Sequence, residues 1–256
     1  MTEPGRSVIF FATPTSGNGS MFRAISTLTE GSLEAVRWVD ELYKAGRIQD
    51  VALLSPPALG ALIKHNAPER FNPATRLSDY RFILNARDPR DMACNQYHWQ
   101  FSHPSLKETE EETRLRRARV ADAGMDAFVL AQDNTRYLRG FLDVARRIAP
   151  GDRIFIGYAM YCLHFDEVVA RVADFLGVAL EEMHRKQRKF LTRERVENLG
   201  TNRVWIGSIW AGADTAPGRH RQELRPETIR ALNQRYAWFL EFLRHMDDPR
   251  VGATYD

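Results

Sequence analysis

A chain of 256 residues provides for one large domain or two small ones with a packed core, and 44% hydrophobic and 27% charged residues exclude disorder, collagen, coiled coil and a disulfide scaffold. Its 36 basic and 33 acidic side chains leave a formal charge of +3, too small to require a nucleic-acid partner but suited to a small anion held by a local cluster. Two cysteines, Cys94 and Cys162, have no CxxC or metal spacing, and their scarcity fits a reducing compartment. The most apolar stretch, Val51 to Ile63, is broken by Ser55, Pro56 and Pro57 and falls short of the about 20 residues a membrane span needs. The N-terminus sets an acid and a proline ahead of only about five apolar residues, unlike a signal peptide. The expectation is a cytoplasmic protein with no membrane and no nucleic acid as partner.

Short apolar runs alternate with longer amphipathic stretches and no linker divides them, which predicts an α/β fold in a single domain, 1–256, around a parallel sheet. Ser7–Thr13 (SVIFFAT) reads as a buried strand, followed by the turn PTSGNGS. A helix follows from about Ser20, with Met21, Ala24, Ile25 and Leu28 on one face. Leu33, Val36, Val39, Leu42 and Tyr43 recur at helical spacing and predict a second helix over Ser32–Ala45, capped by Gly46. Tyr80–Ala86 (YRFILNA) is the next strand, and Asp91–Phe101 a helix with Pro89 and Arg90 in its first turn. Leu106–Arg119, acidic first and basic later, matches the helix dipole and reads as a solvated helix or one that covers a ligand cleft. Arg153–Tyr158 is a third strand, and His164–Leu176 a helix closed by Gly177. Pro226 opens a C-terminal helix whose stripe is Ile229, Leu232, Tyr236, Phe239, Leu240 and Leu243.

The turn after the first strand, Ala12 to Ser20, is made of small residues whose backbone N–H groups face outward at a positive helix end. Such a turn is either a tight strand-helix connection or a cradle for phosphate or sulfate. A nucleotide-kinase loop, GxxxxGK[ST], fits less well, because Gly19 stands where that loop needs lysine. The strand Tyr80–Ala86 delivers Arg87-Asp88-Pro89-Arg90-Asp91 to the same sheet edge, ahead of a helix that contains Asn95.

A strand-PxSG-helix unit followed by a strand-RDPRD-helix unit resembles the nucleotide-dependent sulfotransferase family. The likeness continues in Leu62–Pro68 (LIKHNAP), beside the family's Lys-x-His-x-Pro pattern, and in Gly151–Tyr158 with the helix ending ADFLGV. Glu197–Asn202 and Gly218–Glu227 complete it, the latter beside Gly-x-Trp-Arg-Asn-x-Leu-Thr-Pro-Glu. It spans about residues 7–245 and lies in order and spacing more than in one motif.

The resemblance implies a P-loop-NTPase-like fold with helices flanking a central parallel sheet. It implies transfer of a sulfuryl group from 3′-phosphoadenylyl sulfate (PAPS) to a hydroxyl or amine of a small-molecule acceptor, releasing 3′,5′-bisphosphoadenosine (PAP). No metal is needed, and a homodimer is one assembly it allows. Thr15, Ser16, Gly17, Asn18, Gly19, Ser20 and Met21 would hold the 5′-phosphosulfate, Arg87 and Asn95 the 3′-phosphate, with Tyr158 also at the nucleotide. His65 would be the general base, with Glu30 as the alternative, and Lys64 would support the leaving group.

Three departures stand out. The family's loop lysine is Thr15, its Arg-Lys-Gly stretch falls on Ala213–Thr215, and its loop aromatic is Ser20. Arg203 and Arg219 are the candidates to replace the lost 3′-phosphate contacts. His98 and His103 follow the second motif, and Trp205 and Trp210 occupy a Gly-rich stretch; each lines the acceptor cleft or simply packs. These losses leave two other readings open, a non-catalytic nucleotide-binding relative and a P-loop kinase.

Overall fold

β1 (Ser7–Ala12), β2 (Glu34–Val36), β3 (Ala61–His65), β4 (Tyr80–Ala86) and β5 (Arg153–Gly157) form one parallel sheet in the order β2-β3-β1-β4-β5. This computed structural model describes residues 6–36, 60–68, 71, 76–102, 108–195, 198 and 216–256. The central strands are apolar without alternation, since a parallel sheet is covered on both faces; every residue of β1 and β3 is buried.

On one face, α1 (Asn18–Leu28), α5 (Tyr158–Leu163) and α6 (Phe165–Leu176) pack Met21, Ala24, Ile25 and Leu28 against Tyr161, Phe165 and Val168. On the other, Phe141 of α4 (Thr135–Arg147) stacks on Phe11 at 4.8 Å and meets Phe239 of α9 (Pro226–Met246). α2 (Pro89–Ser102) follows β4 directly. α3 (Glu110–Ala131) starts on a Thr109–Glu112 capping box, breaks at Gly124 and buries Val129. α7 (Arg185–Arg193) and the single turn α8 (His220–Glu223) complete the described helices.

β1 leads through α1 toward β2 and β3 on one side, whereas β4 leads to β5 on the other. The strand order therefore reverses between β1 and β4, and the crevice at the C-terminal ends of these two strands is where such sheets bind ligands.

Two sequence expectations change. Residues 34–36 of the expected helix Ser32–Ala45 are the edge strand β2, paired with Ala61–Ile63, and Glu34 N–H donates to Gly60 at 2.9 Å. Local helical spacing yields there to backbone pairing with β3 and burial of Val36; residues 37–45 lie outside the described ones. Tyr158, expected to end the third strand, instead opens α5. α4 was not expected, although Leu138, Phe141, Leu142 and Ala145 repeat at helical spacing and are buried.

β5 ends on Gly157, where an added Cβ would lie 1.8 Å from a carboxylate oxygen of buried Asp247. That carboxylate also accepts from Tyr255 Oη at 2.5 Å, so it is tethered. Gly157→Ala should cost about 1–3 kcal/mol by overpacking and lower the melting temperature by several degrees. An unchanged melt would show that Asp247 moves aside freely.

Candidate functional site

The site is built at the β1–β4 edge. Beyond β1, Thr15 adopts φ +58°, a left-handed conformation unusual for a β-branched residue, and Gly17 follows at φ +69°. A Cβ on Gly17 would meet the rings of Tyr158 at 3.1 Å and Tyr161 at 3.3 Å, so only glycine fits. The first helical bond is Met21 N–H to Gly17 carbonyl at 2.9 Å, which leaves the N–H groups of Asn18, Gly19 and Ser20 without helical acceptors. These three amides form the positive end of the α1 dipole.

Buried polar contacts fix the cradle to the sheet. Ser16 Oγ reaches the Thr13 carbonyl at 2.6 Å and Asn85 Oδ1, while Asn85 Nδ2 donates to the Ile156 carbonyl at 3.0 Å. Thr13 N–H donates to the Asn85 carbonyl and Arg87 N–H to Thr13 Oγ1. β1, β4 and β5 are thus bound together at their C-terminal ends.

The RDPRD motif splits into parts with different work. Arg87 is 1% exposed and turns to the cradle, donating from Nη1 to the Thr15 carbonyl at 3.0 Å with its guanidinium 4.2 Å from the Tyr158 ring centroid. Its Nε and Nη2 have no hydrogen-bond partner among the described residues. Burial opposes its charge, but Tyr158 and Asp91 favour it and the net shift of its pKa is upward. Asp88 and Arg90 instead pair with each other at 2.6 Å, and Arg90 also reaches Asn233 and the Asp256 carbonyl, tying α2 to α9 and the C-terminus. Asp91 binds Gly218 N–H at 2.7 Å, His220 N–H at 3.1 Å and His220 Nδ1 at 2.7 Å, docking the 218–220 turn onto the first turn of α2.

The remaining expected residues divide. Asn95 is buried, one helical turn beyond Asp91, with Oδ1 unbonded. Arg219 is 1% exposed and gives Nε and Nη2 to Glu223, keeping Nη1 without a partner. Ser20 contributes an amide to the cradle, but its Oγ binds Tyr161 and Glu194, locking α1 to the end of α7. Met21 is a core side chain and its amide is already used by Gly17. Asn18 and Gly19 are partly exposed at the helix tip. Glu30 is exposed beyond the far end of α1, about 18 Å along the axis from Asn18, and is not brought to the cradle. Arg203, Trp205, Trp210, Ala213–Thr215 and His103 lie outside the described residues. His98 packs its imidazole beside Glu223 at 3.3 Å.

Lys64 and His65 are successive residues of β3, so their side chains leave opposite faces of the sheet. Lys64 pairs in register with Phe10, which meets Phe22 of α1, and therefore lies on the cradle helix's face. His65, level with Phe11, packs on Phe71 at 4.5 Å and its Nδ1 accepts Ala67 N–H at 3.2 Å. Tyr137 was missed by sequence reasoning: its hydroxyl bonds the carbonyls of Ala12 and Asn66, bridging the ends of β1 and β3.

The sulfotransferase domain model matches residues 20–208, and the chain belongs to that family. No curated protein sequence matches it. Mouse sulfotransferase SULT7A1, solved as a complex with PAP, superposes with a TM-score of 0.66 at 16% identity over 99% of this chain and 90% of that one. Retinol dehydratase, solved with androsterone and inactive cofactor PAP, gives 0.59 at 17% identity over 97% and 83%. At these identities the likeness is one of fold. The family match begins at Ser20 and ends at residue 208, so the turn 13–19 and the turn 218–220 are joined to it by the structure.

Burial raises the pKa of Asp91, but the His220 hydrogen bond and the Arg87 charge outweigh it and hold it below the ordinary carboxylate value. A lowered folded-state pKa adds stability above the unfolded value of about 3.9 that is lost as pH falls. Asp91→Asn should destabilise the fold by about 3 kcal/mol at neutral pH and flatten this acid dependence, measured by urea titration across pH 3–7. Parallel acid profiles for both proteins would show that the His220 hydrogen bond and the Arg87 charge do not hold the Asp91 carboxyl down.

Proposed function

We propose that this family member transfers the sulfuryl group of PAPS to a hydroxyl or amine of a small-molecule acceptor. The observation that supports this most is Arg87: a buried guanidinium with two open donors, one strand from a helix N-terminus with open amides, at the strand-order reversal. Such an edge suits a ligand with two separated anionic groups. On this reading the 5′-phosphosulfate lies on the amides of Asn18–Ser20, while Arg87 and Arg219 hold the 3′-phosphate. Asn95 joins them after a half-turn of its amide. SULT7A1 and retinol dehydratase, solved with PAP, favour the same nucleotide.

The acceptor oxygen or nitrogen attacks sulfur in line, the bond from sulfur to the phosphate oxygen breaks, and PAP leaves. Lys64, on the face of α1, supplies the cation that Thr15 does not. His65 takes the acceptor's proton at Nδ1, and for this the acceptor displaces Ala67 N–H. That occupied lone pair, with the lost loop lysine and Arg-Lys-Gly stretch, favours the non-catalytic alternative.

PAP should bind far more tightly than AMP, because each charge-assisted bond to the 3′-phosphate contributes roughly 1.5–3 kcal/mol. Gly17→Val should weaken both nucleotides by more than about 100-fold, since it fills the cradle in a left-handed backbone. Calorimetric titration checks both, and equal affinities for PAP and AMP would remove the role of Arg87.

His65→Ala should lower turnover by about 10²–10⁴-fold with nucleotide affinity unchanged. Single-turnover assays decide this, and a near wild-type rate would assign the proton to another group.

A further inference from the structure

Buried polar side-chain atoms without hydrogen bonds among the described residues gather at this sheet edge: Thr15 Oγ1, Arg87 Nε and Nη2, Asn95 Oδ1, Arg219 Nη1 and His220 Nε2. Native proteins rarely leave such atoms bare, and a group of them marks an absent ligand or ion. The first four residues fall to the nucleotide reading, but His220 does not. The sequence resemblance sets tryptophan at its position, and a packing role needs no polar nitrogen.

The imidazole of His220 is fully buried and fixed in orientation. Asp91 only accepts, so the bond at 2.7 Å assigns the proton to Nδ1 and turns Nε2 away from the carboxylate. Two backbone N–H groups of the same turn, from Gly218 and His220, bind the same carboxylate and leave the ring little freedom. The neighbours connect this ring to the Arg87 site. Arg87 acts electrostatically on Asp91, and Arg87 and Arg219 both act on the Cys94 thiol, pulling down a pKa that burial, Glu223 and Asp91 together push up. Asp91, Cys94 and Asn95 share one side of α2, and the turn carrying Arg219 and His220 is docked there.

We propose that His220, oriented by Asp91, is a specificity-determining residue for the nucleotide's 3′-phosphate, meeting it through Nε2 beside Arg87 and Arg219. This rests on the nucleotide reading above and extends it. Nε2 can accept or carry a proton and a phosphate monoester oxygen can do the same, so a single proton between them makes the hydrogen bond. The pair does part of the work that the resemblance assigns to the Arg-Lys-Gly stretch, whose place is taken by Ala213–Thr215. Asp91 acts through the imidazole and is a positioning residue.

Calorimetry with PAP and AMP on wild-type protein and His220→Phe tests the proposal. Phenylalanine keeps a ring and removes both nitrogens, and His220→Asn, whose amide can still donate to Asp91 in place of Nδ1, removes Nε2 alone and should give the same loss. PAP affinity should fall about 10–100-fold while AMP affinity stays within about twofold, the loss expected for one charge-assisted bond. Retained AMP binding reports an intact cradle and fold. An unchanged ratio of PAP to AMP affinity in His220→Phe overturns the proposal and leaves the nucleotide reading standing. Equal affinities in the wild type overturn the nucleotide reading and this one with it. Should His220→Phe fail to fold, ¹⁵N-histidine spectra of the wild type decide. PAP, and not AMP, should shift the Nε2 resonance of an imidazole protonated at Nδ1, and no such shift overturns the proposal.

Discussion

A guanidinium inside a protein must be balanced, and Arg87 is balanced only in part. Burying a charge is costly unless it is paired and hydrogen-bonded. Here the face of Tyr158, the Thr15 carbonyl and the nearby Asp91 offset some of that cost, and two nitrogens find no hydrogen-bond partner among the described residues. Much at the C-terminal edge of the sheet follows from holding this group in place. Thr15 takes a strained backbone to present its carbonyl, and Gly17 must be glycine because the Tyr158 ring occupies the space beside it. The turn 218–220 is pinned to Asp91, within one helical turn of the same arginine.

Asn85 makes this edge rigid. Its buried side chain links Ser16 to the Ile156 carbonyl, so the cradle cannot shift without moving three strands. Catalysis by positioning needs such a frame, since small displacements of a reacting group forfeit much of the advantage. α3, which fully buries only Val129, is largely exposed to solvent.

The strands and the cradle were legible because their signals are local. SVIFFA and YRFILNA are apolar runs of strand length, and residues 14–17 (PTSG) between β1 and α1 carry turn residues. Residues 34–36 misled because the same spacing that suits a helix was overridden by pairing with β3, which lies about 25 residues on in sequence. Lys64 and His65 looked like one catalytic pair in sequence, yet strand pleating sends them to opposite faces. The division of RDPRD into one cradle-facing arginine and one structural arginine was equally hidden. Arg90 is told from Arg87 by its pairing with Asp88 and by partners at residues 233 and 256. His220 carried no sequence signal beyond a departure from the family's tryptophan.

The proposed function rests on one claim: that this sheet edge binds a nucleotide carrying an activated sulfuryl group and passes that group on. The most direct measurement supplies the protein with ³⁵S-labelled PAPS and a panel of phenols, alcohols and amines, then separates the products. The account predicts label on at least one acceptor, with PAP released in equal amount. PAP binding with no transfer to any acceptor, or phosphoryl transfer from ATP instead, would contradict it.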